Sequence, residues 1–124
     1  MRYVIRPLIA LVAISGLALG LVSLATASAA RTAHAAATTR VKGREFRFTL
    51  SSKTLAKPGT VTFTFTNTGT VAHDFSIDGK TTPLVQPGRT AKLVVRFKKA
   101  GTFRYLCTVP GHAAAGMRGS FTVR

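Results

Sequence analysis

The sequence predicts an all-β fold, a Greek-key β-sandwich of about seven to eight short strands. Three observations carry that prediction. Apolar and polar residues alternate with a period of two from Glu45 onward, the pattern of half-buried antiparallel strands. Turn signals rich in Gly, Pro, Asn and Asp interrupt the pattern at short intervals. No stretch after residue 30 carries a helical period.

The chain opens differently. Arg2 and Arg6 flank the start of an almost wholly apolar run, Pro7 to Leu24, and small residues follow: Ala25-Thr26-Ala27-Ser28-Ala29-Ala30. Residues 1–30 therefore read as a signal peptide, cleaved after Ala29 or Ala30, or later after Ala35. Left uncleaved, a run of this length serves as an N-terminal membrane anchor. No cysteine stands near its end to take a lipid, and no Arg-Arg pair marks a twin-arginine route. Either way the remainder is exported, to the periplasmic or extracellular side of the membrane. Residues 31–44 (RTAHAAATTRVKGR) are small, polar and basic and are expected to form a flexible linker, with His34 a solvated side chain.

The domain is expected to occupy residues 45–124. Phe46, Phe48 and Leu50 alternate with Arg47 and Thr49; Val61, Phe63 and Phe65 alternate with Thr62, Thr64 and Thr66. Val71–Ile77, Thr90–Phe97, Thr102–Cys107 and Arg118–Val123 follow as strands, with a further short one near Thr81–Val85. Lys57-Pro58-Gly59, Asn67-Thr68-Gly69, Asp78-Gly79, Gln86-Pro87-Gly88 and Ala100-Gly101 separate them.

The composition excludes several classes of function. The 124 residues hold 18 Lys+Arg against only Glu45, Asp74 and Asp78, a net charge of +15. Charge of this size suggests nucleic acid, an anionic surface or an acidic protein partner. Export argues against nucleic acid, and removing Arg2 and Arg6 with the signal still leaves +13. Three acids cannot furnish the paired carboxylates of acid–base catalysis. One cysteine, Cys107, excludes a disulfide framework, a cysteine-rich zinc site and a four-cysteine iron–sulfur cluster.

Strand parity shows where the remaining chemistry lies. Phe103 and Tyr105 set the inward parity of their strand, and Cys107 shares it. Phe75 and Ile77 are inward, so His73 is inward and Asp74 faces the other way. Phe121 and Val123 place Gly119 and Met117 inward. Cys107 ends one strand, Met117 opens the next, and the nine residues 108–116 join them with His112 in the middle. Paired strands lie about 4.8 Å apart, so both sulfurs emerge at one end of the sandwich, where His112 folds back and His73 arrives from another strand. Two imidazoles, a thiolate and a weak thioether make up the blue-copper electron-transfer set. Taken singly, a buried Cys, a core Met or a His on an apolar face is more often structural. Together, the chain's sole Cys and sole internal Met share one hairpin with a histidine, and a free Cys in an exported chain calls for an explanation that copper supplies.

The segment Tyr105-x-Cys107-x4-His112-x4-Met117 resembles the ligand loop of the cupredoxins, small blue copper proteins of the plastocyanin, azurin and auracyanin kind. Asn67-Thr-Gly-Thr-Val-Ala-His73-Asp-Phe75 is similar to the segment carrying that family's first histidine, and Lys57-Pro-Gly-Thr-Val and Val85-Gln-Pro-Gly-Arg-Thr are similar to two of its turns. The resemblance spans residues 41–124 and implies one copper ion, with His73, Cys107 and His112 equatorial and Met117 axial. It also implies that the His112 edge is the electron's exit, within an apolar collar of Pro110, Gly111, Ala113, Ala114, Ala115 and Gly116. Asp74 departs from the family's usual Asn, and its charge is expected to favour Cu(II). The four-residue gaps on either side of His112 are closer to auracyanin than to plastocyanin.

The expected function is thus single-electron shuttling by a monomeric protein that is not an enzyme, with an acidic redox partner docking near His112. The basic surface also suits association with an anionic membrane or envelope. A copper carrier or chaperone without a redox role is the alternative. Multicopper enzymes need more histidines than this chain has, and a dinuclear copper centre needs a second cysteine. A β-sandwich adhesion module would leave the Cys, His and Met convergence unexplained.

Overall fold

The computed structural model describes residues 36–124; the segment read as an export signal, its cleavage sites and His34 lie outside the described residues. Nine strands follow in order: β1 (Ala37–Arg44), β2 (Arg47–Leu50), β3 (Thr54–Leu55), β4 (Gly59–Asn67), β5 (Ser76–Ile77), β6 (Lys80–Thr81), β7 (Thr90–Phe97), β8 (Gly101–Leu106) and β9 (Arg118–Val123). They form a four-stranded sheet, β2-β1-β4-β7, and a five-stranded sheet, β3-β9-β8-β5-β6. This is the all-β sandwich the alternation predicts. Among the described residues no helix is long and apolar enough to cross a membrane.

The expected linker is corrected over residues 37–44, which form β1. This strand runs parallel to β4 from Ala37↔Val61 to Gly43↔Asn67 and antiparallel to β2. Thr39, Val41 and Gly43 are buried while Thr38, Arg40, Lys42 and Arg44 face solvent. A Thr, a Val and a Gly fill interior positions with little hydropathy, so the period of two was masked by basic neighbours. The pairing is also not purely antiparallel: β1–β4 and β3–β9 are parallel. Between β1 and β4 the chain visits both sheets, through β2 and β3, and re-enters the first sheet in the direction of β1.

The strand expected over Val71–Ile77 is shorter. Regular pairing is confined to Ser76–Ile77, and His73 makes a single bridge to Val85. A side chain replaces one ladder bond here: the Phe75 amide donates to Thr82 Oγ1 at 3.0 Å, while the Thr82 amide returns to the Phe75 carbonyl at 3.0 Å. The Asp78-Gly79 signal forms the two-residue β5–β6 turn, with φ of 50° and 71°. Two consecutive positive φ values define the type I′ turn that matches strand twist.

The core is aromatic. The Phe63 ring on β4 lies 5.3 Å from Phe121 on β9 and 5.3 Å from Phe75, joining the two sheets. Val41, Val61, Phe65, Ile77, Val85, Val95, Phe97, Tyr105 and Val123 complete this interior. Gly43 at the end of β1 has no room for a side chain: a Cβ there would sit 2.6 Å from the Phe65 ring and 3.0 Å from the Met117 methyl. The end of β1 thus lies beside the loop between β8 and β9, where the site forms.

Candidate metal centre

Each predicted ligand is held by a different local device. Cys107 follows β8 directly, and its amide donates to the Met117 carbonyl at 3.0 Å, closing the neck of the 108–116 loop. Within that loop the His112 amide donates to the Val109 carbonyl at 3.1 Å, and the Met117 amide donates to the His112 carbonyl at 3.0 Å. His112 is thereby turned back over Cys107. His73 is fixed from the other side by reciprocal backbone hydrogen bonds with Val85, at 3.1 and 2.7 Å.

The structure brings the predicted donors together. His73 Nδ1 and His112 Nδ1 are 3.0 Å apart, and Cys107 Sγ lies 3.9 Å from the first and 3.6 Å from the second. A nitrogen and a sulfur sharing one transition-metal ion lie no more than about 4.4 Å apart, given bonds of about 2.1 and 2.3 Å. All three separations fall inside that reach. His73, Cys107 and Met117 are buried, and His112 is half-buried. Met117 is tied to Cys107 and His112 by backbone hydrogen bonds.

A connected set of hydrogen bonds holds this arrangement. Asp74 Oδ1 accepts from the Thr108 amide at 2.6 Å, and Asp74 Oδ2 accepts from the Thr108 hydroxyl. The residue after His73 is thus tied to the residue after Cys107. Asn67 Nδ2 donates to the carbonyls of Val71 and Val85, each at 2.8 Å, which fixes both the residue two before His73 and the residue bridged to it. Burial pushes the Cys107 thiol above its ordinary value, while the amides of Asp74 and Val109 pull it down and the Asp74 carboxylate raises it again. The metal-free cysteine is therefore a neutral thiol at pH 7, and a metal must displace its proton.

The family model of the cupredoxin-like domain matches residues 16–123. The chain belongs to this family. Its donor set, two imidazoles with a thiolate and a thioether, fits one copper ion and suits both Cu(I) and Cu(II). The cupredoxin is 31% identical over 100 residues to the copper-resistant cuproprotein CopI of Rubrivivax gelatinosus, across 63% of this chain and 60% of that protein. It is 40% identical over 42 residues to auracyanin-B of Chloroflexus aurantiacus, across 34% of this chain and 18% of that protein. The matches span less than two thirds of the curated relatives' own lengths. The dithionite-reduced auracyanin of Roseiflexus castenholzii shares the fold, with a TM-score of 0.64 at 23% identity over 72% of this chain and 98% of that one.

Three residues of this cupredoxin's site escaped sequence reasoning. Phe46 was expected to alternate inward with Phe48 and Leu50; instead it is 41% exposed and packs edge-on against His112 at 5.0 Å. Gly43 lies under Met117 from a strand taken for linker. Glu45 Oε1 lies 3.0 Å from His73 Nε2. The one signal pointing to Glu45 was its rarity, an acid among 18 basic residues.

Proposed function

We propose that this chain is an exported one-copper protein that passes single electrons between redox partners. His73 Nδ1, Cys107 Sγ and His112 Nδ1, together with Met117, would hold the ion. The observation that carries the reading is the set of three donor atoms, mutually within 4.8 Å and held by backbone and side-chain hydrogen bonds that need no metal. Copper, when bound, supplies a one-electron Cu(I)/Cu(II) couple. A donor cage fixed in advance limits rearrangement between the two states, which favours fast transfer over substrate chemistry.

His112 is the half-buried ligand, so its ring edge is the route in and out. Pro110, Gly111, Ala114, Ala115 and Gly116 are exposed around it, and the Phe46 ring extends this apolar rim. A rim of small side chains permits close approach without tight retention. The partner is acidic, because the surface around the sandwich is basic and complementary fields raise encounter rates. The same field favours contact with an anionic membrane or envelope.

Copper carriage without a redox role is a second reading, supported by the CopI relatives, which are described as copper-resistant cuproproteins. Burial of His73, Cys107 and Met117 favours the electron carrier, since a carrier must release its ion. Adding Cu(II) to the purified protein decides the first point. An intense blue thiolate-to-copper band, lost in Cys107→Ser, is expected; a colourless protein at full copper occupancy overturns the reading. Reversible one-electron cycling with copper retained against a competing chelator then separates shuttle from carrier.

A further inference from the structure

The Glu45 carboxylate lies on the far side of the His73 ring from the donor cluster. We propose that Glu45 is a positioning residue for His73: it accepts the Nε2 proton, fixes the ring's tautomer and orientation, and leaves Nδ1 with its lone pair facing Cys107 and His112. The inference rests on the copper-site reading and deepens it by naming what sets the first ligand's protonation.

Glu45 Oε1 accepts three hydrogen bonds, from the Thr70 amide at 2.8 Å, the Val71 amide at 3.0 Å and His73 Nε2 at 3.0 Å. One oxygen therefore joins the histidine ring to the backbone two and three residues before it. Gly69 lies against the same carboxylate so closely that a Cβ would collide with both oxygens. The loop is thus shaped around the acid. The His73 ring is fully buried, so water does not compete for Nε2.

A neutral imidazole has one N–H and one lone pair, and an ionised carboxylate only accepts. Glu45 Oε1 already accepts from the Thr70 and Val71 amides, and a glutamate carboxyl is ionised at neutral pH. The carboxylate therefore places the proton on Nε2, and Nδ1 is left as the donor 3.0 Å from His112 Nδ1. A carboxylate behind a ligating imidazole also raises that ligand's basicity. More basic imidazole and added negative charge both favour the more highly charged Cu(II).

Two variants separate positioning from charge. All three bonds end on one oxygen, so Glu45→Gln can keep them through its amide carbonyl while losing the charge. Glu45→Ala removes the acceptor. Nitrogen NMR of the metal-free protein reads the His73 tautomer directly. The expected result is an Nε2-protonated ring in the wild type and in Glu45→Gln, and a mixture of tautomers in Glu45→Ala. In the copper-loaded protein, Glu45→Gln is expected to shift the reduction potential upward. An Nδ1-protonated ring in the wild type overturns the proposal. So does a potential unmoved by Glu45→Gln, a comparison that stands even where Glu45→Ala fails to fold. A protein that binds copper without a blue band defeats the functional reading and leaves the tautomer result intact.

Discussion

Two of the chain's three acids serve the site. Glu45 meets His73, and Asp74 accepts from both the amide and the hydroxyl of Thr108 beside Cys107. Asp74 was expected to face away from the core by parity; it does leave the aromatic interior, yet it is only 6% exposed because it packs under the copper loop. An Asn at this position could accept from the Thr108 amide through one oxygen and donate to the Thr108 hydroxyl, so Asp74→Asn preserves the tether and removes a charge. The variant is expected to keep its blue band and raise the reduction potential, measured by spectroelectrochemistry; an unchanged potential would remove Asp74 from the electrostatics of the site. Cys107 carries the pH dependence. Its thiol is raised by burial, so copper loading near neutral pH exchanges a proton for the metal. Apparent copper affinity is therefore expected to rise with pH until the folded thiol itself ionises. Titration in weak buffer should register proton release that Cys107→Ser abolishes.

At the scale of elements, β1 is the instructive case. Hydropathy gave no warning of it, because its buried positions are Thr39, Val41 and Gly43. It is nonetheless hydrogen-bonded to strands on both sides, and its last buried residue lies under Met117. Glycine is required there by close approach rather than by backbone angle. Gly43→Ala puts a methyl group 2.6 Å from the Phe65 ring, and overpacking of this kind costs about 1–3 kcal/mol. The variant is expected to lose stability in denaturant by that amount. Pressure on the Met117 methyl should also change the visible spectrum of the copper form, which a purely peripheral strand would leave unaltered. The strands that were legible, β2, β4, β7, β8 and β9, are those with aromatic or aliphatic side chains at most of their alternating inward positions. The segment around His73 falls short of a full strand, because its pairing reduces to one bridge with Val85 and an exchange between Phe75 and Thr82 in which a side chain replaces a ladder bond.

The whole molecule presents a field of one sign. With Glu45 and Asp74 engaged in the site, Asp78 is the remaining acid, exposed at the β5–β6 turn. Lys92, Arg96, Lys98, Lys99, Arg104, Arg118 and Arg124 are all exposed. Exposed charges are screened over about 10 Å at 0.1 M salt. Oxidation of the reduced protein by an anionic complex such as hexacyanoferrate(III) should therefore slow as salt is added, and oxidation by a cationic complex should quicken. Equal salt dependence for the two reagents would count against steering by the basic surface.

The sequence by itself determined the sandwich and picked out His73, Cys107 and His112, which the fold brings together. Alternation is a local property, and parity carried His73, Cys107 and Met117 to the inner face without any knowledge of neighbours. Scarcity did the rest, since one cysteine and one internal methionine leave few ways to build a site. Tertiary structure alone decided what surrounds those donors. Glu45 reaches His73 across 28 positions, Asp74 reaches Thr108 across 34, and Gly43 meets Met117 from another strand. Such contacts depend on how two sheets are stacked and which strands lie parallel, and no periodicity within a single segment encodes that.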